Sequence, residues 1–161
     1  MMNPGNRLEY QFSVYEAQVI YNIVRMGDRK PISDPNSTVA YMAGAFDDFV
    51  TQEQFWVILV DTKNCPIGRH RITIGTVNST LVSPREVFRP AIVGSATSII
   101  CVHNHPSGDP APSSSDIKIT RMLSQASIQL EIPLLDHVII GEATQDPLGT
   151  GYYSFSESGL I

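Results

Sequence analysis

The stretch SIICVHNHPSGDPAPSSSDIKITRMLSQASIQLEIPLLDHVIIG, residues 98–141, decides the fold because its local signal changes kind three times. Ser98 to His103 is an apolar run rich in β-branched side chains and reads as a strand. Residues 104–112 are crowded with Pro, Gly and Ser and read as a loop. From about Ser113 to Leu130, the side chains of Ile119, Met122, Leu123, Ala126 and Leu130 fall at helical spacing and make one apolar stripe. Leu134 to Gly141 returns to an apolar strand pattern. Strands exchanging with helices point to a layered α/β architecture.

The flanking sequence extends this pattern. QFWVILVD, residues 54–61, is a continuous apolar run expected to be a strand buried on both faces. DTKNCPIG, residues 61–68, reads as a turn, and residues 67 to about 82 as one or two further strands. Ser83-Pro84-Arg85-Glu86 is a helix start, with a cap, Pro at the first helical position and an acidic residue three beyond the cap; that helix should end near Gly94. Ser37 to about Phe49 reads as another helix, with Val39, Met42, Ala43 and Phe46 on one side. Ser13 and Glu16 have capping-box spacing and predict a helix to about Met26, and residues 27–36 read as a loop. Tyr152 to Phe155 is a short final strand. The expected order is α, α, β, β, β, α, β, α, β, β. It predicts a three-layer α/β sandwich with a mixed central sheet flanked by helices. Residues 1–30 are expected to be an N-terminal arm and helix, and residues 31–161 a single globular domain.

With 161 residues, 42% apolar and only 17% charged, the chain can bury a core without disulfides. Cys65 and Cys101 are far apart and make no Cys-x-x-Cys pair, so they read as two reduced thiols. Cys101 is expected to be buried rather than to bind metal. The net charge of −5, with no run of Lys and Arg, argues against a domain that grips a phosphate backbone by itself, so DNA is a partner that the charge does not support. Arg69, His70 and Arg71 form a small basic cluster, read as a solvated strand face. MMNPGNRLEY at the N-terminus has no apolar run of signal-peptide type, and no stretch approaches the roughly 20 apolar residues of a membrane span. The cytoplasm is the expected location.

Chemistry concentrates in VHNHPSGDPAPSSSD, residues 102–116. On a strand, positions i and i+2 share a face, so His103 and His105 can point at one ion. The loop that follows can bring the carboxylate of Asp116 to the same place. Two imidazole nitrogens and one carboxylate oxygen leave the fourth position of a tetrahedral zinc open, as a catalytic site requires. A second reading of Asp116 stands beside this one. Ser113 and Asp116 have the S-x-x-D spacing of a capping box, and the two roles can coexist. Rival metal motifs fail on spacing: His-Glu-x-x-His is absent, and no His-x-Glu with a later Cys-x-x-Cys occurs.

His103, Asn104, His105, Pro106, six residues, Ser113, two residues and Asp116 fill every spaced position of the JAMM (MPN+) pattern. The chain resembles the RadC-like branch of that metallopeptidase superfamily. LVDTKN at 59–64, SPREVF at 83–88 and LLDHVIIG at 134–141 carry the same resemblance, which covers roughly residues 30–158. It implies the JAB/MPN, cytidine-deaminase-like fold and a zinc hydrolase of peptide, isopeptide or similar amide bonds. His103, His105 and Asp116 are then the ligands of Zn²⁺. A Glu at the start of an early strand is the implied general base; Glu53 stands there, and Glu86 is the competitor, already explained as a helix cap. Ser113 is expected to donate to the oxyanion, and Asp136 or His137 either to orient a ligand histidine or simply to stand at a strand end. A DNA-repair accessory role and a non-catalytic MPN scaffold are the alternatives. RadC proteins typically also carry an N-terminal helix-hairpin-helix segment with a DNA-binding look; the roughly 50 residues before the first core strand here are not basic. The resemblance names no particular substrate or oligomeric state.

Overall fold

The structure is a computed structural model and describes residues 30–75 and 82–161. Its elements are α1 (Pro35–Met42), β1 (Glu53–Val60), β2 (Pro66–Gly75), α2 (Pro84–Val93), β3 (Ser98–Asn104), α3 (Ser114–Leu130), β4 (Leu134–Ile140) and β5 (Tyr152–Ser154), with a 3-10 turn at Asp47–Phe49. One five-stranded sheet runs in the order β2-β1-β3-β4-β5. β1 is antiparallel to both β2 and β3, β3 and β4 are parallel, and β4 and β5 are antiparallel. The sheet is therefore mixed. The parallel β3–β4 pair needs a long crossover, which α3 supplies.

Alternation along the central strands fills two cores. Phe55, Val57 and Leu59 of β1, with Ile99 and Cys101 of β3, face α2 and α3, where Val87, Phe88, Ala91, Ile119 and Leu123 close over them. Ile58, Val60, Ile100 and Val102 face the other way, against Ile32, Met42 and Ala45. Each large apolar side chain so buried contributes on the order of 2 kcal/mol. The continuous apolar run of β1 is thus buried on both faces, and helices cover both sides of a mixed sheet. Cys65 and Cys101 are free and buried, the burial being the one expected of Cys101.

Three expectations need adjustment. The helix expected over residues 37–49 is shorter and starts earlier. Asp34 caps it in a reciprocal box with Ser37, Pro35 takes the first turn, and the helix stops at Met42 before Gly44, whose φ is +75°. Ser83 is the N-cap of α2 but makes no side-chain capping bond; Glu86 instead pairs with Arg89 at 2.9 Å. The basic cluster on β2 is not simply solvated, because Arg69 lies over the rings of Tyr41 and Trp56, and Arg71 over those of Phe49 and Trp56. The helix expected over residues 13–26, and the strand continuation at 76–81, lie outside the described residues. Among the described residues no helix is long and apolar enough to cross a membrane.

Candidate metal centre

β3 ends in His103 and Asn104, and its direction carries on into His105, whose N–H donates to the Ile140 carbonyl at 2.8 Å. Both imidazoles accordingly fall on the face covered by α3. The loop then turns back tightly. Gly108 has φ +85° and donates to the His105 carbonyl, and the Glu142 N–H donates to the Gly108 carbonyl at 2.7 Å. Gly141 makes this closeness possible, since a Cβ there would collide with the Gly108 carbonyl oxygen. The loop ends at Ser113, the N-cap of α3, and Asp116 stands in the first turn of that helix.

The two readings of Asp116 coexist. Ser113 Oγ accepts from the Asp116 N–H at 3.2 Å, and the Asp116 Oδ2 accepts from the Ser113 N–H at 2.8 Å and from its hydroxyl at 2.6 Å. The capping box takes Oδ2, while Oδ1 stands 3.4 Å from His103 Nε2. His105 Nε2 lies 3.1 Å from His103 Nε2 and 3.6 Å from Asp116 Oδ2. Two donors each about 2.0–2.1 Å from a tetrahedral ion stand about 3.3 Å apart. The two imidazole nitrogens are near that spacing, each approaches a different oxygen of the one carboxylate, and one atom from each of the three residues lies within 4.8 Å of the others, close enough to converge on a single ion. The donor set fits a metal ion.

Burial and charge set the protonation of the cluster. Burial holds His103 down to about 4, against the pull of Asp116. Burial also acts to lower His105, but its bonds to Asp116 and the Asp109 carbonyl, with the charges of Asp116 and Glu53, prevail and move it above the ordinary histidine value. Burial would raise Asp116; its bond to His105, the charge of His103 and the Ser113 donors outweigh this and hold the carboxyl well below the usual range. The carboxylate is ionised and His103 is neutral at neutral pH, the forms in which both bind metal.

Glu53 opens β1 on the same face as Phe55, the residue paired with His103. Its charge is felt at His105. It lines a cavity of about 520 Å³ together with Thr51, Gln52, Gly75, Pro106 and Ser107, so the loop that follows His103 and His105 contributes to the lining. Glu86 is on α2, engaged by Arg89. The hydroxyl proton of Ser113, expected to be free, is given to Asp116 Oδ2.

Three residues complete the site from behind. His137, raised in the sequence as an orienting residue, places Nε2 2.9 Å from His103 Nδ1. Thr120, one helical turn beyond Asp116, lies 2.6 Å from His137 Nδ1 and donates to the Asp116 carbonyl at 2.7 Å. Asn104 bonds the backbone on either side of Glu53, at Gln52 and Gln54. Asp136 has a different role: it accepts from Ser154 Oγ, Ser156 N–H and the His137 N–H, tying β4 to β5. Sequence spacing carries no signal for Thr120, which reads as one more residue of a helix.

Comparison with known proteins agrees with this geometry. The family model of the RadC-like JAB domain matches residues 32–160. A UPF0758 protein of Pelodictyon phaeoclathratiforme is 46% identical over 132 residues, covering 82% of this chain and 56% of that protein. One from Chlorobium phaeovibrioides is 43% identical over 149 residues, 92% of this chain and 63% of its own length. One from Geobacillus sp. is 54% identical over 113 residues, 70% and 47% respectively. The chain thus spans about half the length of such relatives. By fold, by ligand spacing and by this match over nearly all the described residues, the chain belongs to the RadC-like JAB domain family.

Proposed function

We propose that this domain is a zinc-dependent hydrolase of peptide, isopeptide or similar amide bonds. The observation that carries the reading is the convergence of His103, His105 and Asp116, one donor atom from each lying within 4.8 Å of the others, with a carboxylate, Glu53, on the same face of the sheet beside a cavity. His103, His105 and Asp116 would hold the ion. When bound, Zn²⁺ supplies a Lewis acid that brings the pKa of water towards about 7 and polarises a carbonyl. Glu53 takes a proton from the attacking water as its oxygen bonds to the carbonyl carbon. It returns that proton to the nitrogen as the C–N bond breaks, leaving a carboxylate and an amine. Ser113 gives its hydroxyl proton to Asp116 Oδ2, and it would serve the developing oxyanion only by giving up that bond. A peptide or protein is the substrate class this chemistry serves.

The test is incubation of the zinc-loaded protein with mixed peptides and with isopeptide-linked conjugates, read by mass spectrometry for new amines and carboxylates. Cleavage that disappears on chelation, returns with zinc and is absent in Glu53→Gln supports the reading. Cleavage that survives both treatments, or none with any amide, overturns it.

A further inference from the structure

Asp116 meets the site twice: its carboxylate stands among the ligand atoms, and its backbone carbonyl lies behind them. That carbonyl can only accept, so Thr120, 2.7 Å away, spends its single hydroxyl proton there. Thr120 Oγ1 is then the acceptor towards His137, and the proton between them, across 2.6 Å, belongs to His137 Nδ1. A neutral imidazole protonated on Nδ1 has a bare Nε2, which accepts from His103 Nδ1 at 2.9 Å. His103 therefore carries its proton on Nδ1 and turns a lone pair at Nε2 towards His105 and Asp116. His105 reaches the same state separately, because its Nδ1 donates to the Asp109 carbonyl at 2.7 Å. The opposite sense of the chain would put a proton on His103 Nε2, in the middle of the ligand atoms, and would leave the Asp116 carbonyl without its hydroxyl donor. Among the described residues the His137 ring has no other polar partner to turn to: it is fully buried, stacked on Phe155 at 5.0 Å and tilted against Phe55 at 5.3 Å.

We propose that His137 and Thr120 are positioning residues that fix the tautomer of His103 and join it to the first turn of α3, so that two of the three ligands are set before an ion arrives. The statement about metal rests on the proposed metal centre; the statement about the tautomer does not.

The experiment has two arms. Long-range ¹H–¹⁵N NMR of the metal-free protein reads which nitrogen of His103 is protonated. Zinc affinity is measured by competition with a chelator. In the wild type His103 should be the Nδ1–H form. His137→Phe keeps the stacked ring but removes the acceptor; it should move His103 towards Nε2–H and weaken zinc binding about 10–100-fold. His137→Gln, whose Oε1 can still accept, should recover most of the affinity. Thr120→Val should show a smaller shift of both kinds, and adding it to His137→Phe should change little, because both act through one chain. If His137→Phe does not fold, Thr120→Val and His137→Gln carry the test. A wild-type His103 protonated on Nε2, or one tautomer unchanged in every variant, overturns the proposal. An Nδ1–H His103 in a protein that takes up no zinc would leave the relay standing and remove the metal centre instead.

Discussion

Asn104 grips the backbone on both sides of Glu53. Its Oδ1 accepts from the Gln54 N–H at 2.8 Å, and its Nδ2 donates to the Gln52 carbonyl at 3.2 Å. The residue between the two histidines proposed as ligands thus sets the position of the carboxylate proposed as base, across the β1–β3 pair. Asn104→Leu should cost about 1–3 kcal/mol of stability, by leaving a buried N–H without its partner. It should lower turnover more than tenfold at unchanged zinc content, measured as kcat beside metal analysis. Full activity in a folded Asn104→Leu protein would separate Asn104 from Glu53.

The choice between Glu53 and Glu86 is testable directly. Glu53→Gln is expected to lower turnover by about 10²–10⁴-fold with zinc retained. Glu86→Gln removes only an exposed pair with Arg89 and should leave turnover unchanged and stability within about 0.5 kcal/mol. The reverse pattern would move the base to α2.

Much of this site could be read along the chain, because it rests on local geometry. The i and i+2 spacing of His103 and His105 survives any strand pairing, and the Ser113–Asp116 spacing is a property of one helical turn. The relay behind them is not local. His137 comes under His103 because β3 and β4 are parallel and Cys101 pairs with His137. Likewise Thr120 matters only once α3 lies over that pair. The start of α1 was legible in Asp34-Pro35 but is masked by the later Ser37, and its end depends on a left-handed Gly44 that a periodic apolar pattern does not reveal. Glu86 has the spacing of a cap, yet its carboxylate finds Arg89 on the next turn.

The loop carrying Asp109 depends on the close approach of Gly108 and Gly141. Gly141→Ala would press a methyl group into the Gly108 carbonyl and crowd the Pro110 nitrogen. A loss of about 1–3 kcal/mol is expected by thermal or chemical denaturation. Zinc affinity should fall with it, since the Asp109 carbonyl holds His105. A variant as stable as the wild type would show that the loop can retreat at no cost.

Without metal, stability should fall as the solution is acidified from pH 6.5. His103 is held down to about 4 by burial, and His137 is also held well below its usual value, so between pH 4 and 6.5 the unfolded chain binds protons that the folded chain refuses. Stability then rises with pH across that window, His103 alone accounting for on the order of 3 kcal/mol. Asp116, held below the carboxylate range, adds a loss of the same sign as pH falls below its ordinary value of 3.8. His105, raised, has the opposite sign and loses its contribution only as pH climbs above 6.5. Urea titrations of chelator-treated protein at pH 4.5, 5.5 and 6.5 measure the slope. A flat profile would mean that His103 and His137 are open to protons.

The most direct test of the metal centre is elemental analysis of protein offered zinc and then dialysed, beside a His103→Ala/His105→Ala variant treated in the same way. About one zinc per chain in the wild type and none in the variant is the predicted result. No zinc in either protein, or equal zinc in both, would contradict the account.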